Sequence, residues 1–114
     1  MTIEQLRKFC LALPGTTEDI KWGADLCFSV GAKMFCVSSA DSSEGGISFK
    51  CTPEKFAELI EREGIKPAAY VGRYKWVHID DMTAVPHTEV EALIGASYQL
   101  VFDKLPSKIK KSIQ

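Results

Sequence analysis

No run of apolar residues in the chain exceeds the five of Phe9-Cys10-Leu11-Ala12-Leu13, and no two cysteines form a C-x-x-C pair. The first lack excludes a membrane-spanning helix, which needs about 20 apolar residues. The stretch before that run is broken by Glu4, Arg7 and Lys8, so no signal peptide is expected either. The second lack leaves Cys10, Cys27, Cys36 and Cys51 as a poor metal framework, at intervals of 17, 9 and 15 positions. Without an export signal, reduced and buried thiols in a cytoplasmic protein are the expectation. Charge of one sign is also missing: 14 Lys and Arg against 15 Asp and Glu give a net charge of -1. No global field draws in polyanions, so a nucleic-acid site has to be a local patch. What is present, 114 residues of which 46% are hydrophobic and 25% charged, suits one globular domain spanning residues 1–114.

Helical spacing appears first. Thr2 with Gln5 three positions on forms a capping box, and Ile3, Leu6, Phe9, Cys10 and Leu13 fall on one face of a helix that Pro14-Gly15 stops. Alternation then replaces it, in Asp19–Trp22, Leu26–Val30, Met34–Ser38 and Ile47–Cys51, joined by links too short for crossover helices. The polar stretch Asp41 to Gly46 supplies one of the turns. Thr52-Pro53 opens a second helix with Phe56, Leu59 and Ile60 inward, which Gly64 ends. Trp76–Asp80 alternates as a fifth strand. A last helix between Pro86 and Pro106 carries Val90, Leu93, Ile94, Ser97 and Val101 at helical spacing, and Lys108, Lys110 and Lys111 come after it as a solvated basic tail.

The order α-β-β-β-β-α-β-α therefore predicts an α+β fold, an antiparallel sheet of about five strands with helices packed on one face and the other face partly open. The apolar parity holds Ile20, Trp22, Leu26, Phe28, Val30, Phe35, Val37, Ile47, Phe49, Val77 and Ile79. The opposite parity holds Lys21, Cys27, Ser29, Met34, Cys36, Ser38, Ser48, Lys50, Trp76 and His78.

Five pieces in order carry a family resemblance. They are Leu13-Pro14-Gly15 with Glu18 and Trp22-Gly23; Phe28-x-Val30-x-x-Lys33-x-Phe35; Lys50 ahead of Pro53-Glu54; Pro67-Ala68-x-Tyr70-x-Gly72-Arg73-x-Lys75-Trp76-Val77; and Ser97-Tyr98-x-Leu100-Val101. Over Leu13 to Leu105 the chain resembles the MmcQ/YjbR family of small bacterial proteins. The resemblance implies a fold similar to the CyaY or frataxin type and a DNA-binding role through wing-like loops. Iron handling of the frataxin kind is not expected, because the first helix offers only Glu4 where a carboxylate ridge would be needed.

The stretch Arg73-Tyr74-Lys75-Trp76 interleaves cations with rings, the pattern by which nucleic-acid surfaces hold phosphates and stack on bases. Lys21, Lys33 and Lys50 extend it into one cationic strip; the alternative is that Tyr74 and Trp76 are half-buried packing residues. Trp22 shares parity with Ile20 and reads as core. His78, Asp80, Asp81 and His87 resemble ligands but do not converge from one strand and one helix start, so no metal site is assigned. Cys36 and His78 share a predicted face, yet a strand thiol lacks the helix N-terminus that lowers its pKa. With no G-x-S-x-G elbow and no G-x-x-x-x-G-K loop, neither an enzyme nor a cofactor is expected.

Two hypotheses arise from these residues. In the first, Lys21, Lys33, Lys50, Arg73 and Lys75 contact DNA phosphates while Trp76, with Tyr74, packs on sugar or base. Three to five phosphate contacts give a salt slope of about −3 to −5 and affinity of roughly 10⁻⁴ to 10⁻⁶ M. In the second, the same face is a protein-interaction or small-ligand module, with salt-insensitive binding through Met34, Tyr70 and Trp76.

Overall fold

The two bonds of the capping box are both formed: Gln5 N–H donates to the Thr2 hydroxyl at 3.1 Å, and Thr2 N–H donates to the Gln5 side-chain carbonyl at 2.9 Å. Helix α1 (Ile3–Ala12) starts there, with Leu6 and Cys10 fully buried. The computed structural model describes residues 1–21, 25–39, 46–68 and 75–113. After α1 come strands β1 (Thr16–Lys21), β2 (Asp25–Val30), β3 (Lys33–Ser39) and β4 (Ile47–Lys50), then α2 (Pro53–Leu59), β5 (Ile65–Pro67), β6 (Trp76–Ile79), α3 (His87–Asp103) and α4 (Ser107–Ile113). Trp22, Tyr70 and most of the turn expected at Asp41–Gly46 lie outside the described residues.

The sheet is antiparallel and six-stranded, in the order β1-β2-β3-β4-β6-β5. This is the expected α+β architecture with two additions. The first, β5, is a three-residue edge strand ending at Pro67, a length and a residue type that mask the alternation of a longer strand. The second, α4, replaces the solvated tail: Lys108 and Lys111 are exposed, but Lys110 is half-buried with its ammonium 6.0 Å from the centre of the Phe102 ring, and Ile113 packs against the core. Helix α2 ends at Leu59, five residues before Gly64, and the intervening turn delivers Gly64 at φ +84 into β5.

Helix α3 lies over β2, β3 and β4, α1 over β1, and α2 against β5 and β6. The α3 stripe of Val90, Leu93, Ile94, Ser97 and Val101 is buried as the spacing requires, with Tyr98 beside it. Phe28, Phe35, Phe49, Ile47, Val77 and Ile79 meet this layer at 0–1% exposure. The Tyr98 hydroxyl donates to the carbonyl of Pro14 at 2.6 Å and ties α3 to the turn between α1 and β1.

Ile20 departs from the predicted core. It sits on β1, opposite Leu26, and is 60% exposed, on an edge strand that has a neighbouring strand on one side only. Val37, Cys36 and Ser38 depart for a different reason. The pairing steps from Phe28↔Cys36 to Ser29↔Met34, so Phe35 is an extra residue in β3. This β-bulge puts Phe35 and Cys36 both toward the helices and reverses the parity of the residues after it: Ser38 is buried and Val37 faces the reverse side. The reverse side then carries Ser29, Met34, Val37, Ser48, Lys50, Trp76 and His78, all half-buried, with Cys27 shielded among them.

Candidate functional site

Lys50 ends β4 and Trp76 starts β6, and the two are directly paired across the ladder. Directly opposed residues share a face and stand about 5 Å apart, so the ammonium stem and the indole lie side by side on the reverse of the sheet. Lys33 opens β3 after a two-residue hairpin turn in which Gly31 and Ala32 both adopt positive φ, +57 and +66. That turn brings Lys33 and Met34 to the same end of the sheet as Lys50 and Trp76. The end of α3 closes the corner. Leu105 packs against the Gly31 turn so tightly that a Cβ built on Gly31 would meet its methyl groups at 2.7 Å.

The result is a cavity of about 350 Å³. Lys33, Met34, Lys50 and Trp76 line it from the sheet, and Val101, Lys104, Leu105 and Pro106 from the end of α3 and the following turn. Among the described residues its lining comprises three cations, one indole and apolar wall, without a carboxylate. Burial, and next the adjacent Lys104 ammonium, lower the Lys50 pKa from its ordinary value.

Among the described residues, four lysines and arginines elsewhere are matched by carboxylates. Arg7 meets Glu18 at 2.6 Å, Lys55 meets Glu58 at 3.0 Å, Arg62 meets Glu89 at 2.8 Å and Lys66 meets Asp80 at 3.3 Å. Among the described residues, Lys33, Lys50 and Lys104 form no ion pair. The helix C-terminus beside them supplies about half a negative charge, which leaves most of three positive charges uncompensated.

The expected strip is thus shorter than its sequence pattern. Lys21 pairs with Asp25 at one end of β2, whereas Lys33 pairs with Val30 at the other. At 3.4 Å per residue the two are about 17 Å apart along the strand alone, so Lys21 does not join the cluster. Lys75 adopts φ +67, and its ammonium lies 5.0 Å from the centre of the Phe56 ring, over α2 rather than beside Trp76. Arg73 and Tyr74 lie outside the described residues. Lys104, which the sequence pattern does not single out, joins instead. It caps α3, and a cap position shows no helical period from which its direction could be read.

The other titratable groups have local roles. The His78 ring Nδ1 is 2.9 Å from the Ser48 hydroxyl, and its Nε2 is 3.6 Å from Asp80. Asp81 accepts from Thr83, and His87 pairs with Glu91 one turn along α3. Cys36 does not share a face with His78, since the bulge turns it toward Cys10 and the core. The neighbouring Cys10 thiol and burial hold the Cys36 pKa far above the usual thiol range, and burial pushes Cys51 up to about 11. Among the described residues, no helix is long and apolar enough to cross a membrane.

A second concavity, about 600 Å³, lies between α2 and α3 over Cys51, Ala92, Leu93, Ala96 and Leu100. Its rim mixes Lys55 with Glu89 and Asp103, so it offers no cluster of cations to an anion.

The architecture has close counterparts of known structure. A Deinococcus radiodurans protein carrying a DUF419 domain superposes with a TM-score of 0.89 at 26% identity, over 98% of this chain and 87% of its own. A Pseudomonas syringae protein shares the fold at a TM-score of 0.74 and 21% identity, over 89% of this chain and 99% of its own. In sequence, the chain is 27% identical to the Escherichia coli (strain K12) protein YjbR over 117 residues, covering 97% of this chain and 96% of that one. The YjbR family pattern matches residues 11–100, from the end of α1 to the last turns of α3. With most of the chain matched by that pattern and the fold matched by its structural relatives, this protein belongs to the YjbR family.

Proposed function

We propose that this protein is a non-enzymatic nucleic-acid binder whose contact site is the cavity at the joint end of β3, β4 and α3. Lys33, Lys50 and Lys104 hold phosphate oxygens, and the Trp76 ring packs on a base or sugar. One observation carries the reading: Lys50 and Lys104 stand beside each other in a cavity lined by cations and apolar groups, with Lys50 losing proton affinity through burial and that proximity. Like charges held together weaken a fold unless a counter-charge arrives, and a phosphate is such a counter-charge. The half-buried indole beside them favours single strands, whose unstacked bases offer a ring face. Four buried thiols, with the pKa values of Cys27, Cys36 and Cys51 raised, make poor nucleophiles, in keeping with binding rather than chemistry and with a reducing cytoplasmic setting.

The test is an anisotropy titration with single-stranded and duplex DNA at two ionic strengths. Three phosphate contacts give a salt slope of about −2 on single strands and about −3 on duplex. Lys50→Glu with Lys104→Glu abolishes binding if the reading holds. Unchanged affinity in that double variant overturns it, and binding indifferent to salt transfers the face to a protein or uncharged small-molecule partner.

A further inference from the structure

The same cavity says more about its ligand than that it is anionic. An internal phosphodiester carries one negative charge and is met in runs, so a surface built for it spreads its cations along a track. Among the described residues such a track is missing: Lys21 lies at the far end of β2, and Lys75 is held over Phe56. Instead Lys33, Lys50 and Lys104 converge on one hollow of about 350 Å³, near the small end of the range for ligand pockets. That volume holds a phosphate and one ring rather than a length of backbone.

Charge leads to the same place. A phosphate monoester carries about −1.5 to −2 at neutral pH and offers three acceptor oxygens. Three ammonium groups, less the half charge of the α3 C-terminus, match that dianion better than they match a monoanionic diester. Lysines act on phosphate as point charges that need no forked geometry, so three from different elements can close on one group. Beside the lysines the cavity is also lined by Met34 and Trp76, a thioether and an indole, suited to the flat face of a heterocycle.

We infer that the cavity binds a nucleoside through its phosphate monoester, with the phosphate held by Lys33, Lys50 and Lys104 and the ring against Trp76. This rests on the nucleic-acid reading of the site and narrows it from strand to terminus: the chemistry is shared by the 5′-phosphorylated end of a strand and by a free nucleoside monophosphate. Lys104 is the residue that decides it, being exposed at a helix cap and free of packing duties.

The experiment compares two single-stranded oligonucleotides of one sequence, one with a 5′-phosphate and one with a 5′-hydroxyl, and uses adenosine 5′-monophosphate, adenosine and inorganic phosphate as competitors. The 5′-phosphate strand is expected to bind about tenfold more tightly, the difference one set of charge-assisted hydrogen bonds makes. Adenosine monophosphate should displace it where adenosine does not, and inorganic phosphate should compete more weakly than the nucleotide. Lys104→Ala should remove most of that preference without lowering the melting temperature, since it also relieves the repulsion on Lys50. Equal binding of the two strands overturns the inference and leaves the nucleic-acid reading standing. Binding of adenosine monophosphate without either strand overturns the nucleic-acid reading and supports the monoester site. Inorganic phosphate competing as well as the nucleotide overturns the ring contact, and no binding of any probe overturns both.

Discussion

The Ser97 hydroxyl donates to the carbonyl oxygen of Phe35 at 2.7 Å, sixty-two positions away in sequence. The hydroxyl oxygen in turn accepts from the backbone N–H of Lys50 at 3.0 Å. The β-bulge in β3 leaves these two backbone groups without each other, and a helix side chain completes the ladder from above. Ser97→Ala strands both groups at a site of 0% exposure. The expected loss is about 1–3 kcal/mol, read as a lower denaturation midpoint at unchanged m-value. Because Lys50 is one of the two, the same variant should also weaken oligonucleotide binding.

Lys50 opposes the fold, and in the proposed reading it serves the ligand. Its pKa is lowered in the folded protein, by burial first and Lys104 second, so the unfolded chain binds more protons between the folded value and 10.5. Stability therefore rises with pH through that interval, and the deficit is complete below it. Lys50→Met keeps the stem and removes the charge. It should be more stable than the parent at pH 7, lose that advantage toward pH 10, and bind no phosphate. Denaturant titrations across the alkaline range read the first two and anisotropy the third.

Cys51 acts with the opposite sign. Burial raises its thiol from 9.0 to about 11, so the folded state keeps a proton that the unfolded chain releases. The contribution is intact below pH 9 and is lost as pH rises through 11. In Cys51→Ala the alkaline decline over that window should be shallower, measured against the parent by thermal melts at pH 8, 9 and 10.

Ala32 holds φ +66 in the second position of the β2–β3 turn, a conformation that disfavours any side chain with a Cβ. Ala32→Gly is expected to stabilise by about 0.5–1 kcal/mol. Gly31→Ala should do the reverse and by more, since its φ is also positive and the new methyl meets Leu105. Paired melting curves of the two variants check both signs.

Much of this fold is legible in the sequence. Thr2 with Gln5, Thr52 with Pro53, and the α3 stripe specify three helices through local rules of capping and period, which need no knowledge of distant contacts. What alternation cannot carry is the bulge at Phe35. One unpaired residue exchanges the faces of Val37 and Cys36, and a bulge is set by how neighbouring strands and Ser97 meet. The site divides along the same line. Lys50 and Trp76 are readable as neighbours because strand parity predicts a shared face, whereas Lys21 joins them only on parity, which says nothing of position along a strand. Lys104 escapes because its partners, Lys33 and Lys50, reach it only after α3 has crossed the sheet.

The docking of Leu105, Ile109 and Ile113 onto the glycine turns at Gly31 and Gly15 has a consequence for synthesis. A ribosome releases those turns long before it makes the residues that cover them, and Lys104 travels with the late segment. The early strands therefore leave the exit tunnel without the cavity that Lys104 and Leu105 help to line. On the reading proposed above, capture of phosphate would begin only once these helices have closed over the strands.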